Sequence, residues 1–295
     1  MDTPASNPTP RTLGPAALPT GPAMDHAQAG ARPGRPAREF AANATLVSRE
    51  DLTESIARFV VRPDGGVPPF KPGQYFALGL SVDGTVLQRP YSTASRAGEA
   101  EHLEFLIRRV NAGAFTPRLW GIGSGARVWL GPPKGLFTLR PGDHRTHLLV
   151  STGTGLAPFI SMTDTLLRSE NPSAVGGPTA DRSAAAPRVV VVHGVSYQAE
   201  LAYRELLEDH ARAGRLAYVP TISRPVDPGN SGWTGATGRT ESVLSRACDE
   251  LEIDPHQSVA YVCGNPEMIE AVVAILRHRG FPEAMVIREH YWTTS

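Results

Sequence analysis

Several short stretches of this sequence carry side chains suited to binding and moving charge. Arg89-Pro90-Tyr91-Ser92 sets a cation, a flat ring and a hydroxyl within four residues. In an extended strand Arg89 and Tyr91 point to one face and Ser92 to the other. The ring offers a surface for a planar cofactor, the guanidinium forks onto a pyrophosphate, and the hydroxyl bonds a ring nitrogen. The same residues also suit an edge strand with a half-buried tyrosine and a solvated arginine. Leu106-Ile107-Arg108-Arg109, then Gly113-Ala114-Phe115-Thr116, gives a strand edge with free amides and a turn that lets backbone approach phosphate. A hairpin with a basic end is the plainer alternative there.

Further along, Thr152-Gly153-Thr154-Gly155 stands between a short apolar run and a helical pattern. Glycines turn the chain tightly under a phosphate, and the helix N-terminus supplies amides and a positive dipole end. The full dinucleotide fingerprint wants a third glycine three residues on, where Pro158 stands. Arg224 and Arg239 follow a strand pattern and precede a helix, so they could fork onto a ribose phosphate or simply be solvated. Cys263, in Val262-Cys263-Gly264-Asn265-Pro266, ends a buried run where an open parallel sheet presents its ligand crevice. A buried structural cysteine is the alternative. Glu289-His290-Tyr291-Trp292 offers a proton-exchanging carboxylate and shielding aromatics, or an amphipathic terminus. His193 and His290 read as structural.

The elements that must position these residues fall into two rhythms. From Glu39 to Gly142, short apolar runs are broken by Gly, Pro and Asp. Ala44–Ser48, Ile56–Arg62, Gln74–Leu80, Gln88–Thr93, Leu103–Arg109, Arg127–Gly131 and Gly135–Leu139 read as strands of an antiparallel barrel or sandwich. From Asp143 onward strands and helices alternate, giving a doubly wound α/β parallel sheet. Strands are expected at His147–Ser151, Arg188–His193, Leu216–Ile222, Val259–Cys263 and Val286–Glu289, with helices opening at Leu156 and over Ala199–Ala213, Glu241–Cys248 and Glu267–His278. The expected domains are thus 39–142 and 143–295. Residues 1–38, rich in Pro, Ala and Gly, read as a disordered tail, with Met24 as an alternative start. Residues 171–187 read as a surface insertion.

Composition narrows the function. The 295 residues carry 29 basic and 29 acidic side chains, so no nucleic acid or anionic membrane is expected as partner. No apolar run approaches the ~20 residues of a membrane span. Two cysteines make neither a disulfide framework nor an iron–sulfur site, and they fit a reducing, cytoplasmic setting. An acid-poor, arginine-containing tail allows a transit peptide, but its prolines argue against an amphipathic helix.

Taken in order over roughly residues 40 to 292, these motifs resemble the ferredoxin–NADP reductase superfamily, and the Glu-His-Tyr-Trp ending is similar to the bacterial ferredoxin/flavodoxin reductases. The stretch Gly131-Pro132-Pro133-Lys134-Gly135 belongs to the same pattern. The resemblance implies an FAD-binding barrel followed by an NADP-binding sheet. It places Arg89, Pro90, Tyr91, Ser92, Leu106, Ile107, Arg108, Gly113, Phe115 and Thr116 around FAD, with Tyr291 near the flavin face and Trp292 over the adenine. It places Thr152, Gly153, Thr154, Gly155, Arg224 and Arg239 around NADP(H), and Ser92, Cys263 and Glu289 at the transfer site. A third arginine of that pattern is replaced by Ser196, which weakens the expected NADPH selectivity. The implied activity is electron transfer between NADPH and ferredoxin or flavodoxin, steered by a basic rim near Arg108, Arg109 and Arg118. An NADH-dependent relative serving a cytochrome, an oxygenase or ferric complexes, or a flavin-binding relay subunit, is the alternative. Oligomeric state is not readable.

Overall fold

The computed structural model describes residues 41–98, 100–169 and 187–290. The expected tail over 1–38 and all but the last residue of the expected insertion lie outside these. The short apolar runs fold as β1 (Ala44–Thr53), β2 (Ile56–Pro63), β3 (Tyr75–Val82), β4 (Thr85–Ser92), β5 (Leu103–Arg108) and β6 (Arg127–Leu130). They pair antiparallel in the order β4-β3-β6-β1-β2-β5. Alternation in β2 sends Ala57, Phe59 and Val61 into the interior, where Phe76 and Phe105 meet edge to face at 6.3 Å. The sheet's two ends meet where the Ala94 amide donates to the Glu104 carbonyl at 2.9 Å and Thr93 bridges Phe105, closing a barrel.

Two barrel expectations need correction. Gly135–Leu139 is not a strand. Pairing reaches the Tyr75–Lys134 bridge and stops there, because Gly135 at φ +108° turns the chain out of extended geometry. Leu136 is left 97% exposed while Phe137 turns into the core. The turn at 113–116 runs on into a short helix, α1 (Thr116–Trp120), started by a proline in its first turn.

The second sheet is parallel throughout, in the order β10-β9-β8-β7-β11-β12. Its strands are β7 (Thr146–Thr152), β8 (Val189–Val195), β9 (Ala217–Ile222), β10 (Ala236–Thr237), β11 (Ser258–Gly264) and β12 (Val286–His290). β8 and β11 are buried end to end, as strands covered on both faces must be. Leu149, Val191 and Tyr261 face the side of α2 (Ala157–Ser169) and α3 (Arg204–Arg212). Leu148, Val150, Val190, Val192, Ala260 and Val262 face α4 (Thr240–Glu250) and α5 (Pro266–His278).

The helix expected over Ala199–Ala213 is divided. A 3-10 turn spans Gln198–Glu200, and Tyr203 takes a left-handed conformation, φ +55°, before α3 begins. That conformation costs a non-glycine residue about 1–2 kcal/mol. In that conformation the Tyr203 hydroxyl donates to Glu104 Oε2 of the barrel at 3.0 Å. Barrel and sheet share one apolar core, in which Ile56, Leu106 and Phe137 pack with Phe159 and Met162 of α2 and Tyr261 of β11. Among the described residues, no helix is long and apolar enough to cross a membrane.

Candidate active site

In the parallel sheet the chain starts at β7, moves outward through β8, β9 and β10, then returns to β11 on the other side of β7. The loops leaving β7 and β11 therefore diverge, which opens a crevice at the carboxyl edge. Glycines lock the two loops together at its floor. A Cβ on Gly155 would stand 2.5 Å from the Cys263 carbonyl oxygen, and one on Gly264, at φ +140°, would collide with Thr152. The Thr152 hydroxyl accepts the Asn265 amide at 3.0 Å, and Asn265 caps α5 by accepting the amides of Glu267 (2.8 Å) and Met268 (3.3 Å). Behind the first loop His193, fully buried, sits with Nε2 3.0 Å from the Gly153 carbonyl. A carbonyl only accepts, so Nε2 carries the proton. Burial pushes the His193 pKa down to about 4, which keeps the ring neutral.

The barrel supplies the opposite wall. Tyr91 of β4 lies 5.9 Å from the Phe115 ring, and burial pushes its phenol well above the usual range. Arg89 turns along the strand, with Nη1 donating to the Gln88 carbonyl at 2.8 Å. Ser92 Oγ donates to Glu289 Oε2 at 3.3 Å, which joins the end of β4 to β12. Glu289 pairs in register with Cys263. Burial raises the Glu289 carboxyl from 4.5 to about 7, against the smaller, opposite pull of the Ser92 bond.

Between the walls lies a cleft of about 1350 Å³. Pockets for drug-sized ligands run to roughly 300–1,000 Å³, so there is room here for more than one such group. The cleft gathers Arg89, Pro90, Tyr91, Ser92, Leu106, Ile107, Arg108, Gly113, Phe115, Thr116, Thr152, Gly153, Thr154, Arg224, Arg239 and Glu289. Gly155 and Cys263 lie behind this lining, buried, and Cys263 is in no disulfide. Tyr291 and Trp292 lie outside the described residues.

One expectation about orientation changes, and two further side chains are held by partners within the protein. Ser92 reaches the same cleft as Arg89 and Tyr91, because the cleft wraps around the end of β4. The Thr116 hydroxyl is committed to its own loop, accepting the Val110 amide at 2.8 Å and donating to the Val110 carbonyl at 3.2 Å. Arg108 pairs with Glu200 at 3.1 Å. On the nucleotide side Arg224 lies 5.2 Å over the Tyr197 ring and donates to its hydroxyl at 2.6 Å, and Arg239 pairs with Glu241 at 2.7 Å.

Sequence reasoning gave no role to Tyr75, Gly194, Thr240 or Asn265, all of which line the cleft, although Asn265 stands in the Cys263 motif. Asn265 was findable, since Asn followed by Pro is a helix-start signal. Gly194 and Thr240 show themselves only in the fold, where a Cβ at 194 would collide with the Thr240 hydroxyl.

These residues fit two dinucleotides. The aromatic and basic barrel wall suits a flavin, and the side-chain-free loops at the head of a parallel sheet suit a pyridine nucleotide. Fold and site thus define a flavin- and pyridine-nucleotide-dependent oxidoreductase. Residues 43–139 match the oxidoreductase FAD-binding domain, and residues 149–274 match the oxidoreductase NAD-binding domain. Ferredoxin–NADP reductase B of Sorangium cellulosum is 31% identical over 235 residues, covering 78% of this chain and 88% of the relative. The ferredoxin–NADP reductase of Pseudomonas aeruginosa is 33% identical over 223 residues, covering 70% and 78%. Among solved structures, an Amycolatopsis cytochrome P450 reductase superposes with a TM-score of 0.70 at 26% identity, covering 86% of this chain and 70% of that one. The chain belongs to the ferredoxin–NADP reductase family.

Proposed function

We propose that this protein passes electrons between NADPH and a one-electron carrier, ferredoxin or flavodoxin, in the cytoplasm. FAD, when bound, takes up two electrons as a hydride and releases them singly. The chain's residues prepare that exchange. Arg89 and Tyr91 hold and cover the flavin from β4. Leu106, Ile107 and Arg108 present the β5 edge. The Gly113–Thr116 turn takes a pyrophosphate. Thr152–Gly155 cradles the nucleotide pyrophosphate, and Arg224 and Arg239 fork onto the 2′-phosphate. Cys263 shapes the floor beneath Gly264, where the nicotinamide would lie.

The observation that carries this reading is the Ser92–Glu289 contact at 3.3 Å, where the flavin wall meets the nucleotide wall. With its carboxyl raised to about 7, Glu289 holds or releases a proton at Oε2 near neutral pH. Arg109 and Arg118 are solvent-facing, and beside Arg108, whose charge is shared with Glu200, they would make a basic rim to steer an acidic carrier.

The test is an anaerobic titration of the purified protein, followed by its visible spectrum. NADPH bleaches the flavin bands at lower concentration than NADH, and added ferredoxin or flavodoxin restores them. A folded, colourless protein that takes up no FAD would sink the proposal. The second reading, an NADH-dependent reductase serving an oxygenase, draws on Ser196 standing where an arginine is expected, and on the likeness to a cytochrome P450 reductase. NADH bleaching as readily as NADPH would favour it.

A further inference from the structure

The corner that presents Arg224 is built from loops, and two buried polar side chains hold it from below. Asn230, 2% exposed, donates to the carbonyls of Ser196 (3.0 Å) and Arg224 (2.8 Å) and accepts the Gln198 amide at 2.7 Å. Glu200 uses one oxygen in the same way: Oε2 accepts the amides of Ser196 (2.9 Å) and Tyr197 (3.2 Å). Its other oxygen leaves this corner altogether. Oε1 pairs at 3.1 Å with Nη2 of Arg108, which stands at the end of barrel strand β5. The Glu200 side chain is only 8% exposed, so its charge needs these partners. One carboxylate therefore spans the two walls of the cleft.

We propose that Glu200 is a positioning residue for the nucleotide. Anchored to the barrel through Arg108, it fixes the Ser196–Tyr197 corner against which Arg224 rests. This rests on the reading above, in which that corner receives the phosphorylated adenosine end of NADP(H). Glu200 does not itself line the cleft. Its loss loosens the grip on the 2′-phosphate and leaves the flavin in place. Arg108 acts here as an anchor reaching across from the flavin side.

The proposal is tested by calorimetric titration of the FAD-loaded protein with NADP+ and, separately, NAD+. FAD content is read from the visible absorbance. Glu200→Gln keeps the size of the side chain but loses the ion pair. It raises the Kd for NADP+ about tenfold or more, raises that for NAD+ much less, and leaves FAD content unchanged. Arg108→Met weakens NADP+ in the same direction, and the double variant is no worse than Glu200→Gln alone, because both remove one linkage. Wild-type NADP+ affinity in Glu200→Gln overturns the proposal, as does equal weakening of both nucleotides. If Glu200→Gln does not fold, Arg108→Met carries the same test on its FAD-loaded fraction. A wild-type protein that binds NAD+ but not NADP+ overturns the NADPH reading and this proposal together. Wild-type binding with no loss in either variant overturns only this one.

Discussion

The two walls of the cleft are built on opposite principles. The barrel wall works through what its side chains present: the Tyr91 ring, the Arg89 guanidinium and the Ser92 hydroxyl stand on one strand over a core of phenylalanines. The sheet wall works largely through what is missing. Gly155, Gly194 and Gly264 bring backbone against backbone or against a hydroxyl at distances no Cβ could tolerate. A wall of side chains can lose one group and remain a wall. A wall of bare backbone has no such slack, since any added atom must displace a neighbouring loop.

The contrast is broken most severely by Gly155→Val. Overpacking against the Cys263 backbone costs about 3 kcal/mol or more. We expect a lower Tm and lost nucleotide binding, with the barrel still able to take FAD. Equal loss of FAD and nucleotide in a folded variant would show that the walls are not separable in this way. Next come Arg224→Ala and Arg239→Ala, the side-chain part of the sheet wall. Each is expected to cost roughly 1.5–3 kcal/mol toward NADPH and far less toward NADH. Steady-state KM values for the two nucleotides check this, and Ser196→Arg should move them the other way.

Glu289→Gln probes the seam between the walls, with a smaller expected effect of about tenfold on turnover, or about 1.4 kcal/mol. The wild-type pH profile should bend near 7 and the variant's should not. Stability provides a second check. The folded carboxyl is raised above its unfolded value, so ionising it disfavours the fold. That penalty is absent below the unfolded pKa, grows as pH rises toward 7 and is constant above it. Glu289→Gln should therefore raise Tm at pH 8 and leave it unchanged at pH 4. Smallest is Ser92→Ala. Removing a donor to the ionised form moves the bend to higher pH, by less than about one unit.

The sequence made the barrel wall readable because its chemistry sits in a contiguous tetrapeptide with recognisable side chains. The Gly153–Gly155 loop was readable as a motif, though why each glycine is needed was not. The reason at Gly155 lies in Cys263, more than a hundred positions away, and a glycine's neighbours leave no local mark. Asn230 was invisible for the same reason, since its partners are backbone amides and carbonyls, which every residue type supplies, and Glu200 adds to such amides only Arg108, far away in sequence. The false strand at Gly135–Leu139 had strand-like residues, but pairing ends at the Lys134 bridge, where Gly135 leaves extended geometry at φ +108°. The helix expected through Tyr203 had helix-like residues, but in the fold Tyr203 is left-handed and its hydroxyl bonds Glu104 of the barrel, a partner far off in sequence.

The apolar core common to Ile56, Leu106, Phe137, Phe159 and Tyr261 limits how this molecule can be re-engineered. Cutting the chain near Pro141-Gly142 looks natural on paper, and exchange of nucleotide modules between reductases invites such a cut. Each half would then carry a raw greasy face into water, the first exposing Ile56, Leu106 and Phe137, the second Phe159 and Met162. Chimaeras joined there would need the donor's α2 face to match the recipient's barrel, side chain for side chain. Heating the intact chain should melt both halves in one calorimetric peak, not in two.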